Sequence, residues 1–311
     1  MINIEKYRDK RFRERLKTEQ VFLESGFNEN KEFREKLESL KKFLEQSSKE
    51  LSKLGFPVDE ENRIDYNSPY FREIYPLKER AYKKACLVEK RKAILTEHEW
   101  SSEEEKIKTR GEQFEMLKTA LFSKFLEDFY VLRTSKYDDV IHHLDNILID
   151  KETGRVVCAI DEVTVKYEDK RLREKERKIL DMNFRGGGCL DFGLEVKTEA
   201  GKPKIKVAKL QKIPVFYLPL SFRAVEEGIK EFIPSKDKYS AKEVEIFAFL
   251  IRKLSTQIQK IKKELRQKAK LTSSVLVTST SWKEGVEIFG KRVEKAGNSI
   301  EDLKILPKRK K

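Results

Sequence analysis

Asp145-Asn-Ile-Leu-Ile-Asp150, then Lys151-Glu-Thr-Gly154, then Val156-Val-Cys-Ala-Ile-Asp-Glu-Val-Thr-Val-Lys166 is the stretch that decides the fold. The first and third segments are apolar runs of strand length, and the segment between them is rich in turn formers, so the whole predicts a β-hairpin. Its acids are out of place: Asp145 opens the first strand, and Asp161 and Glu162 sit inside the second. A carboxylate buried in a sheet without a partner is costly, so these acids call for a cation. Carboxylates on neighbouring strands are a natural site for a hard divalent ion with oxygen ligands, Mg²⁺ or Mn²⁺.

Moving outward towards the C-terminus, Glu168 to Leu180 reads as a charged helix, and Gly186-Gly-Gly188 breaks the chain as a flexible loop. Leu190, Phe192, Leu194 and Val196 alternate with polar residues or glycine, the pattern of a half-buried strand. Glu199 to Pro203 is a turn, and further strands are predicted over Ile205–Leu210 and Ile213–Leu220. About five strands between 144 and 220, with helices before and between them, predict an α/β (α+β) core with one mixed sheet.

Towards the N-terminus, Ser101-Ser-Glu-Glu104 has capping-box spacing. Phe114, Leu117, Leu121, Phe125 and Phe129 then line one face of a helix, with Glu115 at the edge of that stripe. Residues 1–54 are helical, with Phe33, Leu37, Leu40, Leu44, Leu51 and Leu54 on a heptad stripe that Gly55-Phe-Pro57 ends. Residues 57–76 form a loop, and a basic helix follows near 77–95. Beyond the core, Ser240-Ala-Lys-Glu243 is a second capping box. It starts a long helix in which Val244, Phe247, Ile251, Leu254, Ile258, Ile261 and Leu265 alternate three and four apart. That coiled-coil-like stripe predicts packing on another helix, such as the 31–54 helix, or on a second subunit. A short strand at 275–279, a helix at 282–295 and a basic tail complete the chain. The domains read as 1–100 (helical), 101–222 (core) and 223–311 (long basic helix and tail).

The formal net charge of the 311 residues is +14, which favours a polyanionic partner, most simply nucleic acid. Lys260, Lys263, Arg266 and Lys270 on the long helix are candidate phosphate contacts. The charged N-terminus shows no signal segment, and the most apolar run, Ile213–Leu220, is short and holds two prolines. Three scattered cysteines form neither a disulfide framework nor a zinc spacing. A cytoplasmic protein is expected.

On the second strand, Glu162, Thr164 and Lys166 share a face, and Asp161 lies on the other, where it is expected to pair with a basic side chain. If Asp145 and Glu162 meet across the pair they could hold Mg²⁺, with Lys166 as the nearby cation. Asp138 and Asp139 read as turn or cap residues, Asp139 being also a candidate ligand. His142 and His143 are candidate ligands or proton shuttles, or plain loop histidines.

This arrangement resembles the PD-(D/E)XK nuclease superfamily. Its pattern runs from a helix glutamate, here Glu115 in Gly111-Glu-Gln-Phe-Glu115, through a strand-opening aspartate, here Asp145, to (Asp/Glu)-x-Lys, here Glu162-Val-Thr164. The resemblance covers about residues 105–220. It implies a restriction-endonuclease-like core, a Mg²⁺-dependent nuclease acting on DNA, and Asp145, Glu162 and Glu115 as catalytic metal ligands. Asp145 follows leucine instead of proline, and Thr164 stands where the pattern has lysine. Lys166, Lys170, Lys175 or Lys206 are the candidates to supply that cation. The competing readings are a non-catalytic nucleic-acid-binding or scaffolding protein on such a core, and a helical assembly protein.

Overall fold

The computed structural model describes residues 31–72, 74–97, 110–165, 170–199, 202–271 and 280–305. The decisive stretch is a hairpin, β2 (Asn146–Asp150) and β3 (Val156–Val165), paired antiparallel. β1 (Phe129–Arg133) pairs antiparallel on the far side of β2, and β6 (Val215–Ser221) runs parallel to β3, giving a four-stranded mixed sheet in the order β1-β2-β3-β6. β4 (Gly188–Glu199) and β5 (Lys202–Ile213) form a separate two-stranded ribbon. The expected single sheet of about five strands is therefore corrected. β1 hides behind Phe129, which continues the helical spacing from Phe125 but begins a strand after the turn at Glu127-Asp128. The slot beside β3 is taken by β6, so the ribbon lies over the sheet instead of joining it.

The helices are α1 (Lys31–Lys53), α2 (Leu77–Glu97), α3 (Arg110–Phe125), α4 (Lys136–His142), α5 (Lys170–Phe184), α6 (Phe222–Lys230), α7 (Ala241–Leu271) and α8 (Thr280–Ile305). Alternation along β2 and β3 sends Leu148, Cys158 and Ile160 to one face, where residues of α1, α3, α6, α7 and α8 bury them. Ile147, Ile149 and Ala159 face the ribbon and the loop after α1. Phe192 of β4 anchors the ribbon, fully buried among the rings of Tyr66, Phe71, Tyr75 and Tyr137. Burial of such a ring stabilises by about 1.5–3 kcal/mol. The hairpin turn also grips the ribbon: the Val196 N–H donates to the Gly154 carbonyl at 2.7 Å. Gly154 has φ of 69°, and a Cβ there would lie 1.7 Å from the Val196 oxygen, so only glycine fits.

Phe247, Ile251, Leu254, Ile258 and Ile261 of the α7 stripe are buried inside this chain, where α7 packs against α8, β6 and α3, so the expected partner helix is chiefly α8 and not Lys31–Lys53. The Ser240 capping box is present: the Glu243 N–H donates to Ser240 Oγ at 3.1 Å and the Ser240 N–H to Glu243 Oε2 at 2.7 Å. Glu243 Oε1 also takes Lys124 Nζ of α3 at 2.5 Å, and both side chains are wholly buried. Glu243→Ala is expected to cost about 3–5 kcal/mol, because it strands a buried ammonium. A lost cap alone costs about 1 kcal/mol. The denaturant midpoint separates the two, and a loss of only the smaller size would show that the pair contributes little.

The Ser101 capping box, the strand at 275–279, Lys166 and the basic tail lie outside the described residues. No described helix is long and apolar enough to cross a membrane.

Candidate metal centre

Three elements bring three acids together. Glu115 comes from α3, Asp145 from the residue before β2 and Glu162 from β3, and one carboxylate oxygen of each lies within 4.8 Å of the others. α4 aims the second of them. Ser135 caps that helix by accepting the Asp138 N–H, and His143 ends it in the left-handed conformation at φ 55°, turning the chain into Leu144 and Asp145. The Asp145 N–H donates to the Ile160 carbonyl at 2.9 Å, and the Thr134 N–H donates to the Asp145 carbonyl at 2.9 Å.

Asn146 pairs with Ile160, so the same register sets Asp145 opposite Asp161, not Glu162. Asp145 reaches Glu162 because it stands before the first paired residue of β2. There its Oδ2 accepts the Glu162 N–H at 2.6 Å.

Charged side chains from four other places in the chain touch these acids, and most of them are absent from the sequence pattern. Lys118, one helical turn after Glu115, is wholly buried, with Nζ against Glu162 Oε1 and 2.6 Å from Asn146 Oδ1. Arg63, from the loop after α1, and Arg133, at the end of β1, both hold Glu115 Oε2, Arg63 at 3.1 Å. Arg63 also binds Asp139 at 3.1 Å, Arg133 binds Glu61 at 2.6 Å, and Lys136 lies 3.4 Å from Asp139. Lys175 of α5 donates to Asp161 at 2.5 Å and to the Glu162 carbonyl at 2.8 Å. The expected pairing of Asp161 on the opposite strand face is thus made by Lys175.

These surroundings move the acids in different directions. Burial raises the Asp145 carboxyl well above the ordinary range, reinforced by the negative charges of Glu115, Asp161 and Asp139. Burial also raises Asp161, with Lys175 opposing. For Glu115 burial pushes up, but Arg133 and Arg63 outweigh it and hold the carboxyl below its usual value. Burial brings the Lys118 ammonium down to about 7, against Asp145 and Glu115, which favour its charge.

The donor set fits a hard divalent cation. All three converging groups are carboxylates. Glu162 Oε2 is buried with no hydrogen-bond partner among the described residues.

The other predicted residues fall elsewhere. Asp139 is engaged by Arg63 and Lys136 and stands outside the triad. Asp138 is no simple turn residue, being buried and bonded to β4. His143 is exposed beside the cluster, and His142 faces away from it, towards Cys189. Lys206 is an exposed residue of β5 paired opposite Glu195, on the ribbon. Lys260 on α7 binds Glu176 at 3.1 Å and Lys263 is exposed. The side chains of Lys166, Lys170, Arg266 and Lys270 lie outside the described residues.

Sequence reasoning missed Lys118, Arg63 and Arg133, and of these Lys118 had a signal, as a charged residue one turn from Glu115 and next to Leu117 of the apolar stripe. Compared with protein-family descriptions, curated proteins and solved structures, this chain matches none.

Proposed function

We propose that the protein is a divalent-metal-dependent nuclease, cutting phosphodiester bonds of DNA at the Glu115–Asp145–Glu162 cluster on a restriction-endonuclease-like core. The observation that carries the reading is the convergence of a helix acid, a strand-opening acid and a strand acid around one buried lysine. Glu115, Asp145 and Glu162 would hold Mg²⁺ or Mn²⁺, which when bound neutralises phosphate charge and acidifies a coordinated water.

The chain's own residues have separable roles. Arg63 and Arg133 keep Glu115 ionised and fixed. The Glu162 N–H orients Asp145. Lys118 supplies the cation that Thr164 cannot, from its buried place against Glu162 and Asn146. Lys175, at the rim, is a second positive group beside the strand acids. Lys260, Lys263, Arg266 and Lys270, with the overall charge of +14, are assigned to backbone contacts with the nucleic acid. The free cysteines suit a reducing cytosol.

The test is cleavage of labelled single-stranded, duplex and branched DNA with Mg²⁺ or Mn²⁺, with Asp145→Ala and Glu162→Ala alongside. Metal-dependent cutting, lost by about 10²-fold or more in both variants, is the expected result. One observation favours a second reading, a nucleic-acid-binding protein without catalysis: Lys118 already lies against Glu162, as in a purely structural ion network. Binding that survives chelator, with no cutting of any substrate, would establish that reading instead.

A further inference from the structure

On the far side of α4 from the acid cluster, α4 and β4 assemble a second group of reactive side chains. Cys189 and Asp191 of β4 both meet His142 of α4. Asp138 and His142 are one turn apart on α4. Cys189 is exposed, and its Sγ lies 3.5 Å from His142 Nδ1. The other ring nitrogen, Nε2, is buried with no hydrogen-bond partner among the described residues, yet it faces Asp191 Oδ2 at 3.5 Å and Asp138 Oδ1 at 3.8 Å.

Asp138 is locked in place. It is fully buried, and its carboxylate bonds the Ser135 hydroxyl and the N–H groups of Asp191 and Phe192 at 2.7 and 3.1 Å. Asp191 is held from α2 by Lys83 at 2.8 Å. The Tyr137 ring packs edge-on against the imidazole.

We propose that Cys189 is a nucleophilic thiol served by His142, and that it undergoes thiol–disulfide exchange with small disulfides. The order thiol, imidazole, carboxylate is the arrangement in which a base takes the proton of a nucleophile while a third group orients the base. As the Cys189 sulfur attacks one sulfur of a disulfide R–S–S–R, its proton passes to His142 Nδ1. A Cys189 S–S–R bond forms, the original S–S bond breaks, and the departing R–S⁻ recovers the proton as R–SH. The Cys189 sulfur is oxidised and the leaving sulfur is reduced, so the exchange balances without another reagent.

The His142 ring is suited to the proton: its hydrogen bond with Cys189, then Asp138 and Asp191, raise its proton affinity against the opposing effect of burial. The groups facing the pair are Asp138 and Tyr137 from α4 and Asp191 from β4, with Lys83 of α2 acting through Asp191. The two other thiols provide internal references, since Cys86 is half-buried and Cys158 is buried within the sheet. This inference does not depend on the nuclease reading.

The experiment treats the full chain with oxidised glutathione at pH 7, quenches with acid and maps adducts by mass spectrometry. A glutathione adduct on Cys189 well ahead of Cys86 and Cys158 is expected, with the Cys189 rate falling at least about tenfold in His142→Gln. An unmodified Cys189, or an equal rate in a folded His142→Gln protein, overturns the proposal. Should that variant not fold, Asp191→Asn takes its place: it removes a carboxylate that faces the ring at Nε2, and an unchanged Cys189 rate in that variant overturns the proposal.

Discussion

Lys118→Met is expected to reduce metal-dependent cleavage by about 10²–10³-fold, the range seen when a preorganised charge-stabilising group is removed. Methionine fills most of the same volume, so packing at this wholly buried position is largely kept. What changes is charge. Without the ammonium, Glu162 is left buried with no cation, and Asn146 Oδ1 loses its donor. Breaking a buried pair from one side costs about 3–5 kcal/mol, so the metal-free variant should melt well below the wild type. Added Mg²⁺ or Mn²⁺ is expected to restore much of that stability, because a bound cation takes over the neutralisation of Glu162. Thermal melts with metal and with chelator read this directly. A destabilisation that metal leaves untouched would mean that Lys118 closes a structural network and that no ion binds there.

The second large effect concerns Asp145, whose carboxyl burial and neighbouring acids hold well above the usual range. Between the unfolded value of about 3.9 and that raised value, the folded chain binds more protons than the unfolded chain. Stability of the metal-free protein should therefore fall as pH rises through this window. Asp145→Asn keeps an oxygen for the Glu162 N–H but carries no charge, so it is expected to flatten that fall and to be more stable than wild type at neutral pH. The same variant should lose cleavage by about 10²-fold or more. It should also lose most of the metal-induced stabilisation, which for wild type at a hundredfold excess over Kd amounts to about 2.7 kcal/mol. Melting curves across pH 4.5–8, with and without metal, test both parts. A variant less stable than wild type at pH 7 in chelator would show that the carboxylate is held by favourable partners after all.

The hairpin acids were legible because the strand pattern is strong and charge inside a strand is conspicuous. Asp145 and Glu162 could be named from order and spacing alone. Their meeting could be expected, but not its route, since the pairing register sets Asp145 opposite Asp161 and the contact runs through a backbone N–H. Lys118 was hidden for a different reason. The stripe from Phe114 to Phe125 shows that the helix has a buried face but not how wide that face is, and Lys118 lies where a lysine usually snorkels to water. β1 was hidden by coincidence, Phe129 falling four residues after Phe125 with no glycine or proline to mark the turn. Arg63 and Arg133 were beyond reach, because their role depends on contacts 52 and 18 residues away in the chain.

Arg63 has a bearing on how much chain the site requires. The three acids of the cluster lie between residues 115 and 162, so a fragment starting near α3 would carry all of them. It would lack the guanidinium that reaches Glu115 and Asp139 together from the loop after α1. Glu115 and Arg133 would also lose a neighbour each, Arg63 and Glu61. The loop after α1 therefore braces the acidic cluster from well outside the stretch of chain that supplies its three acids.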